Sequence, residues 1–172
     1  MTKALAIQAR GFELLLRDDR PQEAADVLKQ SLDLARQRSI RNVCVFCGVS
    51  WKATALRIAA EREPGGASRK RALKEAKKAV NDALKITKSY MNCRPHALRE
   101  RALISLLENR DTQARHYFDE SLRVAEEHEA RYEHAQSLLA CGEAGQELGW
   151  PDAAEQVARG RSEIDSIVEY QA

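Results

Sequence analysis

The same offsets between small and apolar residues recur four times along this chain, and they limit what it can fold into. In the stretch 111–129, DTQARHYFDESLRVAEEHE, Ala114 precedes Phe118 by four residues and Leu122 by eight. Residues spaced four apart lie on one face of an α-helix. The matching sets are Ala24/Leu28/Leu32, Ala76/Val80/Leu84 and Ala154/Ala158/Ser162. The pattern therefore predicts an array of helical repeats.

A second set of positions recurs in the helix that precedes each of these. A small residue stands at Gly11, Gly48, Ala102 and Gly142, with an apolar residue four before it at Ile7, Cys44, Leu98 and Leu138. Small residues allow two helices to approach closely, as stacked hairpins require. Break signals at 64–66 and 149–151 complete the pattern. We expect one domain over residues 1–172, with eight helices in four hairpins at 3–39, 41–90, 95–129 and 131–168.

Capping residues predict where several helices begin. Asp19 is suited to cap the second helix, and Pro21 fits its first turn, where a missing N–H is tolerated. Ser68 is expected to cap the fourth helix and Asp111 the sixth. The third helix is expected to run unbroken over about residues 41–63.

These positions resemble the tetratricopeptide repeat family, whose unit is a helix-turn-helix. The residues that match the family's motif are Cys44, Cys47-Gly48 and Trp51 in the second repeat, Ala102, Ala114 and Phe118 in the third, and Leu138, Cys141-Gly142 and Ala154 in the fourth. Arg101 and Gly145 depart from it. The resemblance implies an all-α, right-handed superhelical solenoid of about four repeats. The spacing near 40 is also similar to arrays that follow ATPase modules in bacterial signalling kinases, cyclases and LuxR-type regulators.

The resemblance also implies a concave wall, formed by the first helix of each repeat, that binds a protein or peptide. The wall positions carried over to this sequence include Phe12, Val45, Val49, Lys52, His96, Arg99, Leu103, Leu139 and Glu143. They are mostly apolar, which suits an amphipathic helix or an extended peptide. The Lys and Asn pattern by which some family members bind a C-terminal carboxylate does not occur here, so we do not expect that ligand.

The first helix is rich in large apolar residues, and in a repeat array it has no preceding repeat to cover it. These residues are Leu5, Phe12, Leu15 and Leu16. An uncovered apolar face at the end of a solenoid indicates a missing neighbour or a homodimer.

Charge is divided unevenly along the chain. Residues 67–90 contain eight Lys and Arg against two acids, whereas residues 111–172 contain five Arg against fourteen acids. Five lysines step along one face of the basic helix, namely Lys70, Lys74, Lys77, Lys85 and Lys88. Such a face can contact phosphates, dock on an acidic protein surface or simply be solvated. It lacks interleaved aromatic residues for stacking on single strands, which disfavours nucleic acid.

The cysteines and one histidine have the spacing of a zinc site. Cys44, Cys47, Cys93 and His96 form the two pairs CVFC and CRPH. The first pair, however, falls inside a predicted helix on positions that face the core, where Cys acts as a small hydrophobe. The chain lacks a secretory signal, so we expect reduced thiols, with no metal and no cofactor.

The sequence lacks the motifs of common enzymes, including a phosphate-cradling Gly-rich loop and Gly-x-Ser-x-Gly. We find no apolar run of the length that a membrane span needs and no signal peptide, which favours the cytoplasm. The chain is therefore expected to be a non-catalytic protein–protein interaction module, a scaffold or regulatory segment of a bacterial signalling protein. Two alternatives stay open: a ligand-sensing domain for a small peptide or metabolite, and a nucleic-acid binder using the basic helix 68–90.

Overall fold

A computed structural model describes residues 2–169 of the 172-residue chain, and within that range the chain forms helices and turns without strands. The helices are α1 (Thr2–Leu16), α2 (Pro21–Gln37), α3 (Val43–Phe46), α4 (Gly48–Arg62), α5 (Gly66–Ile86), α6 (Arg94–Leu107), α7 (Asp111–Glu127), α8 (Arg131–Leu148) and α9 (Ala153–Glu169). Two 3₁₀ turns, Thr87–Ser89 and Met91–Cys93, separate α5 from α6. The predicted all-α fold is confirmed, and the solenoid stays a prediction.

The predicted third helix is wrong in one respect, because it consists of two pieces. The side chain of Asn42 caps the short α3 by accepting a hydrogen bond from the backbone N–H of Cys44 at 2.9 Å. Cys47 keeps helical torsion angles (φ −59°, ψ −25°), but the N–H of Ser50 bonds to the Cys47 carbonyl at 3.2 Å, an i→i+3 contact. Such contacts tighten the backbone and here separate α3 from α4.

The start of α2 differs from the predicted cap. Pro21 does occupy the first turn, but the N-cap residue is Arg20, which makes no side-chain cap. Asp19 has a φ of 55° and accepts a hydrogen bond from Arg62 of α4 at 2.5 Å. Its carboxylate therefore links the hairpin joint to α4 instead of capping α2.

Two other predicted caps lie inside their helices. Ser68 is the third residue of α5, and its hydroxyl donates to the Glu63 carboxylate. Asp111 is the first residue of α7, where its negative charge still favours the helix N-terminus. The predicted break before α5 is confirmed: Gly65 and Gly66 have φ values of 129° and 66°, and a Cβ at either would meet nothing within 4 Å.

The chain divides into two compact units, Met1–Cys93 and Arg94–Ala172. In the first unit, α1 packs on α2, α2 on α4, and α4 on α5. In the second unit, α6 packs on α7, α7 on α8, and α8 on α9. Each unit is thus a pair of stacked helical hairpins.

The core of the first unit takes up part of the predicted self-association face. Leu14 and Leu15 are buried in one cluster with Ala24, Ala25 and Ala55. The remaining members of the face, Leu5, Phe12 and Leu16, differ in exposure: the first two are half-buried and Leu16 is 67% exposed. The homodimer stays a prediction, and Leu15 is not available to it.

The core of the second unit is centred on Phe118, which is fully buried against Ala102 and Cys141. The Phe118 ring also meets the Trp150 ring edge-on, with centroids 6.3 Å apart. Gly142 allows α8 and α9 to approach closely, because a Cβ there would lie 2.7 Å from the Ala153 carbonyl oxygen.

The two units repeat the same local structure with an offset of 90 residues, or 91 for residues of the first helix of each unit. The Ser31 hydroxyl donates to the Ala4 carbonyl at 2.7 Å, and the Ser121 hydroxyl donates to the Pro95 carbonyl at the same distance. Left-handed backbone recurs in the joints at the same offset, in the pairs Asp19 and Asn109 (φ 55° and 57°) and Ser39 and Glu129 (φ 50° and 52°). These matches support the internal repeat that the sequence predicted.

Candidate partner-binding cleft

A cleft of about 340 Å³ lies between α2, α4 and α5 of the first unit. Its apolar lining consists of Ala25, Leu32, Val49, Leu56, Ala79 and Ile86. Charged residues from α2 line one side (Asp26, Lys29, Asp33, Arg36) and charged residues from α5 line the other (Glu75, Lys78, Asp82). We call this the first-unit cleft.

The α2 side of the cleft follows from helical periodicity. Its four charged residues, Asp26, Lys29, Asp33 and Arg36, step by three and four, so they occupy one edge of α2 beside its buried stripe. The Lys29 ammonium donates to one Asp33 oxygen at 2.6 Å and the Arg36 guanidinium donates to the other at 3.1 Å. The hydrogen bond from Lys29 holds the pKa of the Asp33 carboxyl below its ordinary value. Asp33 is therefore already paired.

Lys52 of α4 differs from these rim residues. It is half-buried within the cleft lining, and burial lowers the pKa of its ammonium, although the nearby charge of Asp82 acts in the opposite direction. Within the described residues it makes no hydrogen bond or ion pair. The carboxylates of Asp82 and Asp33 act on this ammonium only from a distance, so an anion in direct contact with it would offset more of its lost hydration.

The cleft includes some of the predicted wall residues of the first unit. Val49 and Lys52 line it. Val45 is fully buried in a cluster with Ala4 and Ala35 and is not part of an open surface. Phe12 packs against the Trp51 ring, with centroids 5.4 Å apart, outside the cleft lining.

Two of the predicted wall residues of the second unit are buried in the protein. His96 is 4% exposed and Arg99 is 8% exposed. The Arg99 guanidinium donates to the Glu133 carboxylate at 2.8 Å and to the Ser137 hydroxyl at 3.1 Å. Arg99 is thus occupied by contacts between α6 and α8.

The other predicted wall residues of the second unit lie in different surroundings. Leu103 is half-buried beside the Phe118 cluster. Leu139 packs close to Gly160 of α9, where an added Cβ would come within 2.9 Å of it. Glu143 is exposed. The structure therefore does not place the five second-unit residues on one open surface.

The cysteines depart from the expected reduced state. Cys47 and Cys93 are joined in a disulfide, with Cα atoms 5.5 Å apart. Cys44 is an exposed free thiol, and Cys141 is a buried one whose pKa is raised by burial to about 11. With two of its sulfur atoms bonded to each other, the four-ligand zinc set is not assembled, and residues 2–169 contain no other cluster of three metal-ligating groups.

The predicted basic face lies on α5 and the turn that follows it. Lys70, Lys74, Lys85 and Lys88 are exposed, and Lys77 is half-buried. The opposite side of α5 is buried through Ala76, Val80 and Ala83. We call the five lysines the lysine face.

One helical stretch is more apolar than the sequence led us to expect. Val43–Arg62 has a mean hydropathy of 1.4 in its most apolar window, enough by length and composition for a membrane span. In the structure 44% of that window is buried, and α4 packs against both α2 and α5. A core helix of a helical protein meets the same criterion, so this stretch is weak evidence for a membrane.

No protein-family model, curated protein or solved structure matches the chain. The tetratricopeptide resemblance therefore rests on residues and spacing alone. In the molecule itself, the first-unit cleft is where apolar surface and a half-buried ammonium coincide.

Most of the charged residues of the cleft were missed by the sequence analysis. Asp26, Asp33 and Asp82 were not singled out from the sequence. A signal existed in α2, where charged residues repeat by three and four directly beside the apolar stripe. The same pattern marks the edge of most amphipathic helices, so only the packing of α2 and α5 on α4 distinguishes it.

Proposed function

We propose that this chain is a non-catalytic protein-interaction module that binds an amphipathic helix of a partner protein in the first-unit cleft. The observation that supports this is the coincidence of an apolar floor with the unpaired Lys52. The apolar stripe of a partner helix would cover Leu56 and Ile86, the half-buried members of the apolar lining. A Glu or Asp within that stripe would meet the Lys52 ammonium, a charge-assisted contact worth about 1.5–3 kcal/mol.

The rim favours a polypeptide over a small metabolite. Both α2 and α5 present acids and bases along the edges of the cleft, and charges of both signs fix the register and orientation of a docked chain. A metabolite site typically encloses most of its ligand within concave walls. The first-unit cleft instead runs between three helices and remains accessible, which suits helix-in-groove binding.

We also propose the finer architecture, a right-handed superhelix of four tetratricopeptide-like repeats. The repeated serine-to-backbone bonds and left-handed joints support it. In this proposal the module is a scaffold or regulatory segment of a bacterial signalling protein in the cytoplasm. A small-angle scattering curve incompatible with a four-repeat superhelix would contradict the architecture and leave the cleft proposal standing.

The cleft proposal is tested with helical peptides of about 15 residues, or four turns. Peptides are selected from a display library on the wild-type protein, and each is paired with a version in which Glu or Asp in the apolar stripe is changed to Gln or Asn. We expect the acidic peptide to bind at least about tenfold more tightly, or about 1.4 kcal/mol. Lys52→Met should remove that difference, whereas Lys3→Met, a change at an exposed lysine outside the cleft, should preserve it.

NMR shift mapping supplies the location in the same experiment. Binding should shift amide signals of α2, α4 and α5. Peptides that shift other helices, or that bind wild type and Lys52→Met equally, would show that the cleft is not the binding site.

A further inference from the structure

The two units have opposite net charge. Residues 1–93 contain 19 Lys and Arg against 10 Asp and Glu, a net of +9. Residues 94–172 contain 9 Arg against 16 Asp and Glu, a net of −7. Surfaces of opposite sign attract and orient each other before contact. Each chain therefore presents both halves of a complementary pair.

In the first unit the lysine face is the place where uncompensated cations are aligned along one helix. Several basic residues elsewhere in this unit have acidic partners inside it, as in the pairs Arg57–Glu61 at 2.6 Å and Arg62–Asp19 at 2.5 Å, whereas others, such as Lys3, Arg38 and Arg41, are exposed and scattered rather than aligned on one helix face. Four members of the lysine face make no hydrogen bond or ion pair among residues 2–169, namely Lys70, Lys74, Lys85 and Lys88. They are exposed cations whose charge is not compensated locally.

The lysine face is separate from the first-unit cleft. The lysines project from the side of α5 that lies away from Ala76 and Val80, whereas the cleft is lined by Glu75 and Asp82. From Lys70 to Lys85 the face extends along about 22 Å of helix. None of the five lysines lines the cleft, so substituting them leaves the cleft lining unchanged.

The second unit offers an acidic edge with matching spacing. Glu143 and Glu147 of α8 are exposed and four residues apart, as are Lys70 and Lys74. In the part of the chain that the structure describes, neither glutamate has a hydrogen bond or an ion pair. Both lie in the C-terminal half of α8, which ends at Leu148, and the partial negative charge of a helix C-terminus adds to theirs.

We propose that the lysine face of one copy docks on the Glu143–Glu147 edge of a second copy, so that the chains associate head to tail. The occupant is a second copy because the chain itself supplies both charges, in separate units and at the same i, i+4 spacing. A contact between two different surfaces is heterologous, so repetition leads to a ring or an open filament. Exposed ion pairs are weak singly and screened by salt, so the association depends on concentration and ionic strength.

Sedimentation velocity tests the proposal with the full chain. Wild type should show an average mass that rises with concentration in low salt and falls to the monomer near 1 M salt, where the Debye length is about 3 Å. The triple variant K70E/K74E/K85E should stay monomeric. Its matched control, K3E/R38E/R41E, makes the same change in net charge at exposed, unpaired residues outside α5 and should associate like wild type.

A mixture of variants tests the direction of the contact. E143K/E147K should also be monomeric alone. Mixed with K70E/K74E/K85E it should associate again. The lysine face of E143K/E147K can then meet the unchanged glutamates of the other variant. In the reverse pairing, the introduced glutamates of K70E/K74E/K85E meet the introduced lysines of E143K/E147K. Far-UV circular dichroism of each variant confirms that it is folded.

Several outcomes would overturn the inference. They are a wild type that stays monomeric in low salt at high protein concentration, a control triple variant that abolishes association equally, and a variant mixture that stays monomeric. Retention of double-stranded DNA by a monomeric wild type, lost in K70E/K74E/K85E, would assign the lysine face to nucleic acid instead. Peptide binding in the first-unit cleft should persist in K70E/K74E/K85E, so the two proposals fail separately.

Discussion

The two units of this protein share the arrangement of helices and joints but differ in the side chains that form their cores and surfaces. Equivalent positions 90 residues apart hold Leu28 in the first unit and Phe118 in the second, and both side chains are fully buried. The helix facing them presents Gly11 in one unit and Ala102 in the other, and both are buried. Small residues at the helix crossings and left-handed joints thus recur, while core volume and surface charge vary independently.

The units also differ in how their buried serines are bonded. Ser31 donates to one backbone carbonyl of α1. Ser121 donates to the Pro95 carbonyl and also lies 2.8 Å from the hydroxyl of Ser137, which in turn accepts from Arg99. The second unit therefore has a buried polar network joining α6, α7 and α8, whereas the corresponding position of the first unit has a single bond. Networks of this kind lose more than one interaction when a member is removed.

The largest expected effect on stability is that of Phe118→Ala, measured beside Leu28→Ala at the equivalent position of the first unit. Removing a buried Phe leaves a larger cavity, so we expect a loss of about 4 kcal/mol in the free energy of unfolding, against about 3 kcal/mol for Leu28→Ala. Denaturant titration measures the total loss. Hydrogen exchange should become faster mainly in residues 94–169 for Phe118→Ala and mainly in residues 2–93 for Leu28→Ala. An even increase across both ranges would show that the units do not respond separately.

The next effect is a contrast in pH dependence. The folded pKa of Cys141 is about 11, above its ordinary 9.0. The thiol's contribution to the free energy of unfolding is therefore fully present below pH 9 and is lost as pH rises through 11. The contribution is of the order of 2–3 kcal/mol for a fully buried thiol. Burial lowers the pKa of Lys52, so its effect has the opposite sign and favours folding as the ammonium is deprotonated.

Amide hydrogen exchange measured from pH 8 upward therefore distinguishes the stabilities of the two units, and residues 94–169 should lose protection first. Cys141→Ala serves as the control, since it should remove that loss, and Lys52→Met serves the same purpose for the first unit. A second unit whose protection falls equally with and without Cys141 would contradict the assignment.

Substituting Ala for the glycines at the helix crossings should give a smaller difference. At Gly142 a Cβ would lie 2.7 Å from the Ala153 carbonyl oxygen and 2.8 Å from the Val157 nitrogen, which are backbone atoms that cannot rotate away. Gly142→Ala should destabilise by about 2 kcal/mol. At Gly11 the nearest atoms are Cγ and Cδ2 of the fully buried Leu28, at 2.7 and 2.8 Å, so Leu28 has to repack, and the higher helix propensity of Ala offsets part of that cost.

The expected cost of Gly11→Ala is therefore about 1 kcal/mol, smaller than that of Gly142→Ala. Thermal or denaturant unfolding of both variants measures the difference. Equal losses would indicate that the Leu28 side chain is held as rigidly as the α9 backbone.

The smallest expected effect on stability is the difference between Ser121→Ala and Ser31→Ala. Ser31→Ala leaves one buried carbonyl without its donor and should cost about 1 kcal/mol. Ser121→Ala also breaks the contact with Ser137 and should cost about 2 kcal/mol. The double variant Ser121→Ala/Ser137→Ala, measured as a cycle, gives the coupling within the network. A coupling near zero would mean that the two serines act independently.

The sequence was sufficient for the fold class and for most joints, because helical spacing and Pro or Gly breaks are local signals. It was not sufficient for the separation of α3 from α4 at Cys47, because neither Pro nor Gly precedes that position. The interruption there lies in the hydrogen-bond pattern, through an i→i+3 bond. The cleft was predicted only through Val49 and Lys52. Its rim residues, such as Asp33 and Asp82, are of the types found on any solvated helix face, and only the packing of three helices brings them together.

The glycine pair at the start of α5 has a practical consequence for engineering the chain. A side chain at Gly65 or Gly66 would meet no atom within 4 Å, so the torsion angles alone limit what can replace them. A lengthened flexible loop costs only about 0.6 kcal/mol for each doubling of its length. The joint between α4 and α5 is therefore the place to insert a reporter domain or an affinity tag without disturbing either hairpin helix.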